Sequence, residues 1–152
     1  MDVDPAEVCV IIPTYNNAKT LPRVLVSVLK CAHKVIVVND GSTDDTAQLL
    51  SGFPGIVTVH FPKNSGKGQA LRAGFAKAKE LNYKYAITID SDGQHYASDI
   101  LRFTEALERE GEALFIGKRD MTQAGVPGKS SFGNKFSNFW FRFEIPTKEK
   151  SQ

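Results

Sequence analysis

Residues 34–50 read KVIVVNDGSTDDTAQLL, and this stretch decides the predicted fold. Its β-branched run at residues 34–39 predicts a strand buried on both faces. The turn Asp40-Gly41-Ser42-Thr43 follows, and a helix is expected over residues 44–50 with Ser42 or Thr43 as its cap. Such a strand–turn–helix unit is typical of sheets built from parallel strands.

The same alternation continues on both sides of this unit, with short connections. It predicts an α/β fold in which helices flank both faces of a mostly parallel, Rossmann-like sheet. In such sheets ligands bind beyond the carboxyl ends of the strands, so the residues that follow each strand are the candidate site. The further strands are expected at residues 8–12, 56–61, 85–90 and 113–116, and the further helices at 18–31, 66–81 and 98–109.

Composition limits the class of protein. The chain has 152 residues, is 41% hydrophobic and carries a net charge of only +2, which argues against a general nucleic-acid binder. The two cysteines, Cys9 and Cys31, lie in apolar stretches and are expected to be reduced thiols. No signal peptide or apolar run of about 18 residues is seen, so we expect a cytoplasmic protein or one at the inner membrane face.

An acidic pair, Asp90 and Asp92, follows the strand predicted at residues 85–90. Two carboxylates separated by one residue repel each other, and a divalent cation relieves that repulsion. Mg²⁺ or Mn²⁺ binds one or two carboxylates and leaves positions open for phosphate oxygens. Gln94 would add a carbonyl oxygen. The alternative is a solvated acidic turn before the next helix.

Other strand ends carry residues that suit a charged nucleotide. Tyr15 offers a face for base stacking, or it packs at the edge of the sheet. Asp40 suits a nucleobase imide or a ribose hydroxyl, or it forms a local turn. Lys67, in Asn64-Ser65-Gly66-Lys67-Gly68, opens a helix that suits an anion. Arg119 suits a diphosphate, or it pairs with Asp120.

Four separate segments of the chain resemble the inverting family 2 glycosyltransferases, which have the GT-A fold, and they occur in the same order as in that family. The resemblance implies that Tyr15 and Asp40 contact the nucleobase, that Arg119 lies near the phosphates, and that a metal binds the acidic pair. Gln94 resembles the glutamine that faces the metal in the dolichol-phosphate mannosyltransferase-like subgroup, so the resemblance points to that subgroup. The segments are Ile12-Pro13-Thr14-Tyr15-Asn16, Val38-Asn39-Asp40-Gly41-Ser42-Thr43-Asp44, Asn64-Ser65-Gly66-Lys67-Gly68 and Asp90-Ser91-Asp92-Gly93-Gln94.

The resemblance predicts a metal-dependent enzyme that transfers a sugar, with inversion, from a nucleotide-diphosphate sugar. The acceptor is a polyprenyl phosphate or a saccharide, and an acidic general base is not expected within this chain. The alternatives are a nucleotidyltransferase, or a nucleotide-binding fragment without turnover. The donor is expected to contact Pro13, Tyr15, Asn16, Asp40, Lys67, Asp90 and Arg119, with Asp90, Asp92 and Gln94 around Mg²⁺ or Mn²⁺.

The last part of the chain is rich in aromatic and basic residues. We expect residues 1–128 to form the nucleotide-sugar-binding domain and residues 129–152 to lead towards an acceptor-side region of a longer catalytic domain. If residues 132–143 are helical, five aromatic side chains share one face with Lys135 and Arg142 beside it. That face either packs on the domain or contacts a membrane surface.

Overall fold

The computed structural model describes residues 7–93, 98–110 and 142–144. Strands and helices alternate along the chain, and the strands form one sheet of order β3-β2-β1-β4-β5. The first four strands are parallel, which confirms the predicted α/β fold, and β5 is antiparallel to β4. The elements are β1 (Val8–Thr14), α1 (Leu21–Leu29), β2 (Val35–Asn39), α2 (Thr46–Leu50), β3 (Val57–His60), α3 (Lys67–Glu80), β4 (Tyr85–Thr88), α4 (Asp99–Glu110) and β5 (Arg142–Glu144).

Alternate side chains of the central strands pack into two separate hydrophobic clusters, one on each face of the sheet. Val10 and Ile12 of β1 join the cluster that also contains buried residues of α1, α2 and α4. Cys9 and Ile11 join the cluster on the opposite face, with Ala70 and Ala78 of α3. Helices therefore cover both faces, and this burial is the main favourable contribution to the stability of the sheet.

Helix α3 approaches the sheet closely at Gly74. A Cβ atom there would lie 2.4 Å from Cγ2 of Ile11, well inside contact distance. The small residue fixes the depth at which α3 packs. It thereby sets the position of the amino end of α3, which lies at the carboxyl edge of the sheet.

Strand β1 runs to Thr14, two residues beyond the predicted end, and therefore includes Pro13. Proline lacks the N–H that a central strand normally donates. Pairing between β1 and β4 ends at Ile11 and Thr88, whereas β1 and β2 stay paired as far as Thr14 and Asn39. The N–H of Ile89 still donates to the carbonyl of Ile11, but Pro13 has no N–H to donate back to β4, so the ladder between these two strands goes no further.

The predicted cap of α2 is wrong. The structure shows no side-chain cap bond from the N-cap residue Asp45. Instead the carboxylate of Asp44 accepts hydrogen bonds from the N–H and hydroxyl of Thr46. The preceding N–H groups, those of Thr43 and Asp44, donate to the side-chain oxygen of Asn16 from another loop.

The carboxyl-terminal part of the chain differs from expectation where the structure describes it. Residues 142–144 form a strand that pairs with β4, so the helical interpretation of residues 132–143 is wrong for Arg142 and Phe143. The strand predicted at 113–116 and the rest of the aromatic segment lie outside the described residues, and the boundary at residue 128 stays a prediction. None of the helices in the described ranges combines the length and the apolar character of a membrane span.

Candidate active site

An open cavity of about 420 Å³ lies at the carboxyl edge of the sheet. The ends of β1, β2 and β4 meet there with the loop that precedes α3. This is the place where parallel α/β sheets bind ligands, because the helices that follow the strands present free N–H groups at this edge. The lining residues are Pro13, Thr14, Tyr15, Asn17, Asp40, Asn64, Gly66, Lys67, Ala70, Asp90, Ser91 and Asp92.

Asp40, directly after β2, joins two loops of the site. Its side chain is buried, and its carboxylate accepts the N–H of Ser65 at 2.7 Å and that of Gly66 at 3.0 Å. The side-chain amide of Asn64 donates to the same carboxylate at 3.1 Å. An ionised carboxylate has about four acceptor positions, so about one remains for a ligand. Asp40 is thus an anchor of the loop before α3 as well as a lining residue.

Asn16 holds the loop that follows β2. Its backbone has a positive φ of 50°, and its side-chain oxygen accepts the N–H of Thr43 at 2.8 Å. Its own N–H donates to the hydroxyl of Ser42 at 3.0 Å. Asn16 is not among the residues that line the cavity, whereas its neighbour Asn17 is. Asn16 therefore positions the loop after β2 without lining the cavity itself.

The turn Asp90-Ser91-Asp92 is held in place by the loop after β1. Ser91 is buried, and its hydroxyl accepts a hydrogen bond from the amide of Asn17 at 2.7 Å. The hydroxyl of Thr20 donates to the carbonyl of Ser91 at 2.8 Å. Because Ser91 is fixed from both sides, the flanking carboxylates of Asp90 and Asp92 are both presented to the cavity.

A lysine neutralises one of these carboxylates. Nζ of Lys67, the first residue of α3, lies 2.5 Å from Oδ1 of Asp90. The Lys67 side chain is 50% exposed, whereas that of Asp90 is 17% exposed. A carboxylate that is mostly withdrawn from water requires a cationic partner. The acidic turn is therefore a place where the protein itself recruits positive charge.

The wall formed by the end of β1 combines an exposed aromatic ring with a buried hydroxyl. The Tyr15 side chain is 45% exposed at the cavity. Thr14 is 2% exposed, and within the described residues its hydroxyl has no hydrogen-bond partner. Leaving a buried hydroxyl unpaired costs about 1–3 kcal/mol. This strand end is thus better suited to a bound ligand than to an empty surface.

The structure brings most of the predicted site together. Five predicted donor contacts, Pro13, Tyr15, Asp40, Lys67 and Asp90, line one cavity with the predicted metal ligand Asp92. Gln94 and Arg119 lie outside the described residues. The roles assigned to all these residues stay predictions. Asn64 and Ser91 follow predicted strands and were among the candidate residues, whereas Asn17 and Ala70 were not. Asn17 and Ser91 meet across 74 positions of sequence, a contact that no local pattern indicates.

Both cysteines lie away from this cavity. Cys9 is buried under α3, and Cys31 is half-buried near the end of α1. Both are free, as predicted. Burial raises the pKa of the Cys9 thiol to about 12, so this thiol stays protonated and unreactive near neutral pH.

A family model independently matches almost the whole chain. Residues 9–150 match the model described as "Glycosyl transferase family 2". The chain belongs to glycosyl transferase family 2. This membership agrees with the four ordered segments, all of which fall within the matched range.

Curated relatives of this family 2 chain include two named glycosyltransferases. Glycosyltransferase AglJ of Haloferax volcanii is 33% identical over 91% of this chain and 45% of its own length. The polyprenol monophosphomannose synthase of Mycolicibacterium smegmatis is 31% identical over 92% of this chain and 58% of its own length. The chain thus spans about half the length of the curated relatives that it matches.

The fold is shared with a solved structure. The crystal structure of residues 1–349 of TarS from S. aureus matches this family 2 chain with a TM-score of 0.63 and 23% sequence identity. The match covers 79% of this chain and 38% of that one. At this identity the likeness supports the fold alone.

Proposed function

We propose that this chain binds a nucleotide-diphosphate sugar with a divalent metal and forms the donor half of a glycosyltransferase site. One observation carries the proposal: a single cavity collects an exposed aromatic ring, a buried carboxylate, a lysine and an acidic pair. These groups suit, in turn, the nucleobase, its polar edge, the diphosphate and the metal. Family membership and the names of the relatives agree with it.

The acidic turn suits a metal ion that is bound both by the protein and by the diphosphate of the donor. Across residues 7–93 and 98–110, no group of three or more His, Cys, Asp or Glu is placed to hold a metal ion. Mg²⁺ and Mn²⁺ do not need such a group, since they bind one or two carboxylates together with substrate phosphates. Asp90 and Asp92 would supply the protein ligands, and the ammonium of Lys67 beside Asp90 supports a preference for positive charge there.

We propose that the reaction is a single displacement with inversion. The acceptor oxygen attacks the anomeric carbon as the bond from that carbon to the diphosphate oxygen breaks. The bound metal would neutralise charge on the departing diphosphate. Lys67, at the start of α3, would donate hydrogen bonds to the same group, while Tyr15 and Asp40 hold the nucleoside. The test of inversion is the anomeric configuration of the product, measured by NMR; a retained configuration would exclude single displacement.

A lipid phosphate is the proposed acceptor. The Mycolicibacterium smegmatis relative is named as a synthase of polyprenol monophosphomannose, and a phosphate monoester is largely ionised near neutral pH. Such an acceptor attacks without a general base, whereas a sugar hydroxyl needs one. As part of the same proposal, residues 129–152 would contact the membrane surface that carries the lipid phosphate. Incubation of labelled donor with polyprenyl phosphate in vesicles, followed by lipid extraction, tests it; no label in the lipid would count against it.

The proposed donor site is tested by a thermal-shift panel of UDP-, GDP- and dTDP-sugars, each with Mn²⁺, with Mg²⁺ or with a chelator. One nucleotide series is expected to raise Tm by about 5–10 °C at a concentration about 100 times Kd. The shift is expected to require the metal. A panel in which no nucleotide raises Tm, with metal or without, would refute the proposal.

Tyr15→Ala is expected to weaken nucleotide binding by about 5-fold to 150-fold, the range that corresponds to the loss of a base-stacking ring. Because Tyr15 is 45% exposed, the free energy of unfolding should fall by less than about 1 kcal/mol. Tyr15→Phe keeps the ring and is the matched control. Isothermal titration and urea unfolding measure the two effects. If Tyr15→Ala unfolds the domain, the ring is a packing residue.

A further inference from the structure

Lys67 is placed against the local preference of its own helix. It is the first residue of α3, a helix of 14 residues, and the first turn contains no acidic residue. The amino end of a helix carries partial positive charge, which disfavours a cation there. The Lys67 charge is compensated from outside the helix, by Asp90 at the end of β4. A lysine at the first residue of α3 thus depends on an anion from outside the helix, and in this structure Asp90 supplies it.

The partner of Lys67 is one of the two proposed metal ligands. The ammonium lies on the carboxylate where a divalent cation would bind, and two cationic groups cannot both bind one carboxylate oxygen at close range without strong repulsion. A metal ion that binds this oxygen therefore competes with Lys67 for Asp90. Lys67 then needs another anion, and the diphosphate of the donor is the one that arrives in the same cavity.

The surroundings of Lys67 allow this movement. The side chain is half-exposed, so it is not packed into one position. It is flanked by Gly66, whose φ is +96°, and by Gly68, whose missing side chain would meet open space. The loop behind it is fixed by Asp40, which holds the N–H groups of Ser65 and Gly66. The backbone is thus anchored, while the half-exposed lysine side chain has solvent rather than packed neighbours on one side.

We propose that Lys67 is an exchangeable cation. It neutralises Asp90 in the donor-free protein and moves to the diphosphate when metal and nucleotide bind. The inference rests on the proposed function and adds an order to it. Metal alone binds weakly because Lys67 competes for Asp90, and nucleoside diphosphate strengthens metal binding because it removes that competitor. Lys67 is a positioning residue for the metal as well as a contact for the donor.

Mn²⁺ binding, followed by electron paramagnetic resonance of free Mn²⁺, tests the exchange without any turnover. The wild type, Lys67→Met, Lys67→Arg and Lys63→Met are titrated alone and with UDP or GDP. Lys67→Met is expected to bind Mn²⁺ about fivefold or more tightly than the wild type in the absence of nucleotide. Its gain in Mn²⁺ affinity on adding nucleotide is expected to be smaller than that of the wild type.

The two other variants separate the exchange from general charge effects. Lys63→Met removes one exposed charge from the same loop but from outside the cavity lining, and its Mn²⁺ affinity is expected to stay within about twofold of the wild type. Lys67→Arg keeps the cation and is expected to bind Mn²⁺ as weakly as the wild type does. Thermal unfolding of each variant confirms that the fold is retained.

The outcomes distinguish the exchange from the function on which it rests. If nucleotide strengthens Mn²⁺ binding to the wild type but Lys67→Met alone binds Mn²⁺ no more tightly, the exchange is refuted and the donor site stands. If neither UDP nor GDP changes Mn²⁺ affinity in the wild type, the proposed donor site fails, and the exchange fails with it. Equal tightening in Lys63→Met and Lys67→Met would also refute the exchange, since it would show a general charge effect.

Discussion

Asp92→Ala is expected to lower the affinity for the nucleoside diphosphate in the presence of Mn²⁺ by about 100-fold, and thereby to abolish the metal-dependent rise in Tm. In the proposed site the metal bridges the protein and the diphosphate, and Asp92 is one of the two carboxylates that line the cavity. The other, Asp90, already shares its charge with Lys67. With Asp92 removed, the carboxylate of Asp90 alone is left to hold a divalent ion, and Lys67 competes for that carboxylate. Calorimetric titration with and without a chelator measures the loss.

Asp45→Ala is the matched control for charge. Asp45 is exposed at the start of α2 and makes no side-chain cap bond, so its removal changes the net charge equally without touching the cavity. Its metal-dependent Tm shift is expected to equal that of the wild type. If Asp92→Ala keeps the full shift while its fold is intact, Asp92 is not a metal ligand and the acidic turn is a solvated one.

Gly41→Ala is expected to destabilise the domain by about 2–4 kcal/mol and to lower Tm by about 5–15 °C. The backbone at Gly41 has a φ of +67°, which other residues rarely adopt. A Cβ atom there would also lie 2.2 Å from the carbonyl carbon of Lys63, which is backbone and cannot rotate away. The loop after β2 and the loop before α3 would be pushed apart, and the bonds that Asp40 makes to Ser65 and Gly66 would be strained.

The loss from Gly41→Ala therefore has two measurable parts, unfolding in urea and nucleotide affinity at a temperature where the variant is folded. Gly55→Ala is the control for replacing a loop glycine, because a Cβ atom at Gly55 meets nothing within 4 Å and its φ is not positive. Its free energy of unfolding is expected to change by less than about 1 kcal/mol. A Gly41→Ala variant as stable as the wild type would mean that the two loops separate at little cost.

The alternation of buried strands and amphipathic helices was readable along the chain because it depends on local periodicity. Strand β2 is predicted to within one residue, since its β-branched run is buried on both faces. The carboxyl edge of the sheet was predictable for a related reason: in a parallel sheet every strand of this chain that precedes a helix ends on the same side. Tyr15, Asp40, Lys67 and Asp92 were therefore expected near one another, as observed.

One error concerns the start of a helix and another the edge of the sheet, and Asp40 has a role that its local sequence does not indicate. The cap of α2 was assigned to Ser42 or Thr43 from their spacing, but the helix begins only at Thr46, and the carboxylate of Asp44 accepts the N–H of Thr46. Asp40 lines the cavity, and the structure adds that its carboxylate also holds the loop before α3, which its local sequence does not indicate. At the far edge of the sheet, Arg142–Glu144 forms a strand because β4 offers an open edge, whatever the helical spacing of the aromatic residues.

The sequence by itself determined the α/β fold, the edge of the sheet at which ligands bind, and the acidic pair at Asp90 and Asp92. These follow from side-chain periodicity and from strand ends, which neighbouring residues specify. The positioning and neutralisation of the acidic pair depend on tertiary contacts. Asn17 and Thr20 fix Ser91 between the two carboxylates, and Lys67 neutralises one of them. Those contacts join residues that are 23–74 positions apart, so the packing of the helices on the sheet brings them together.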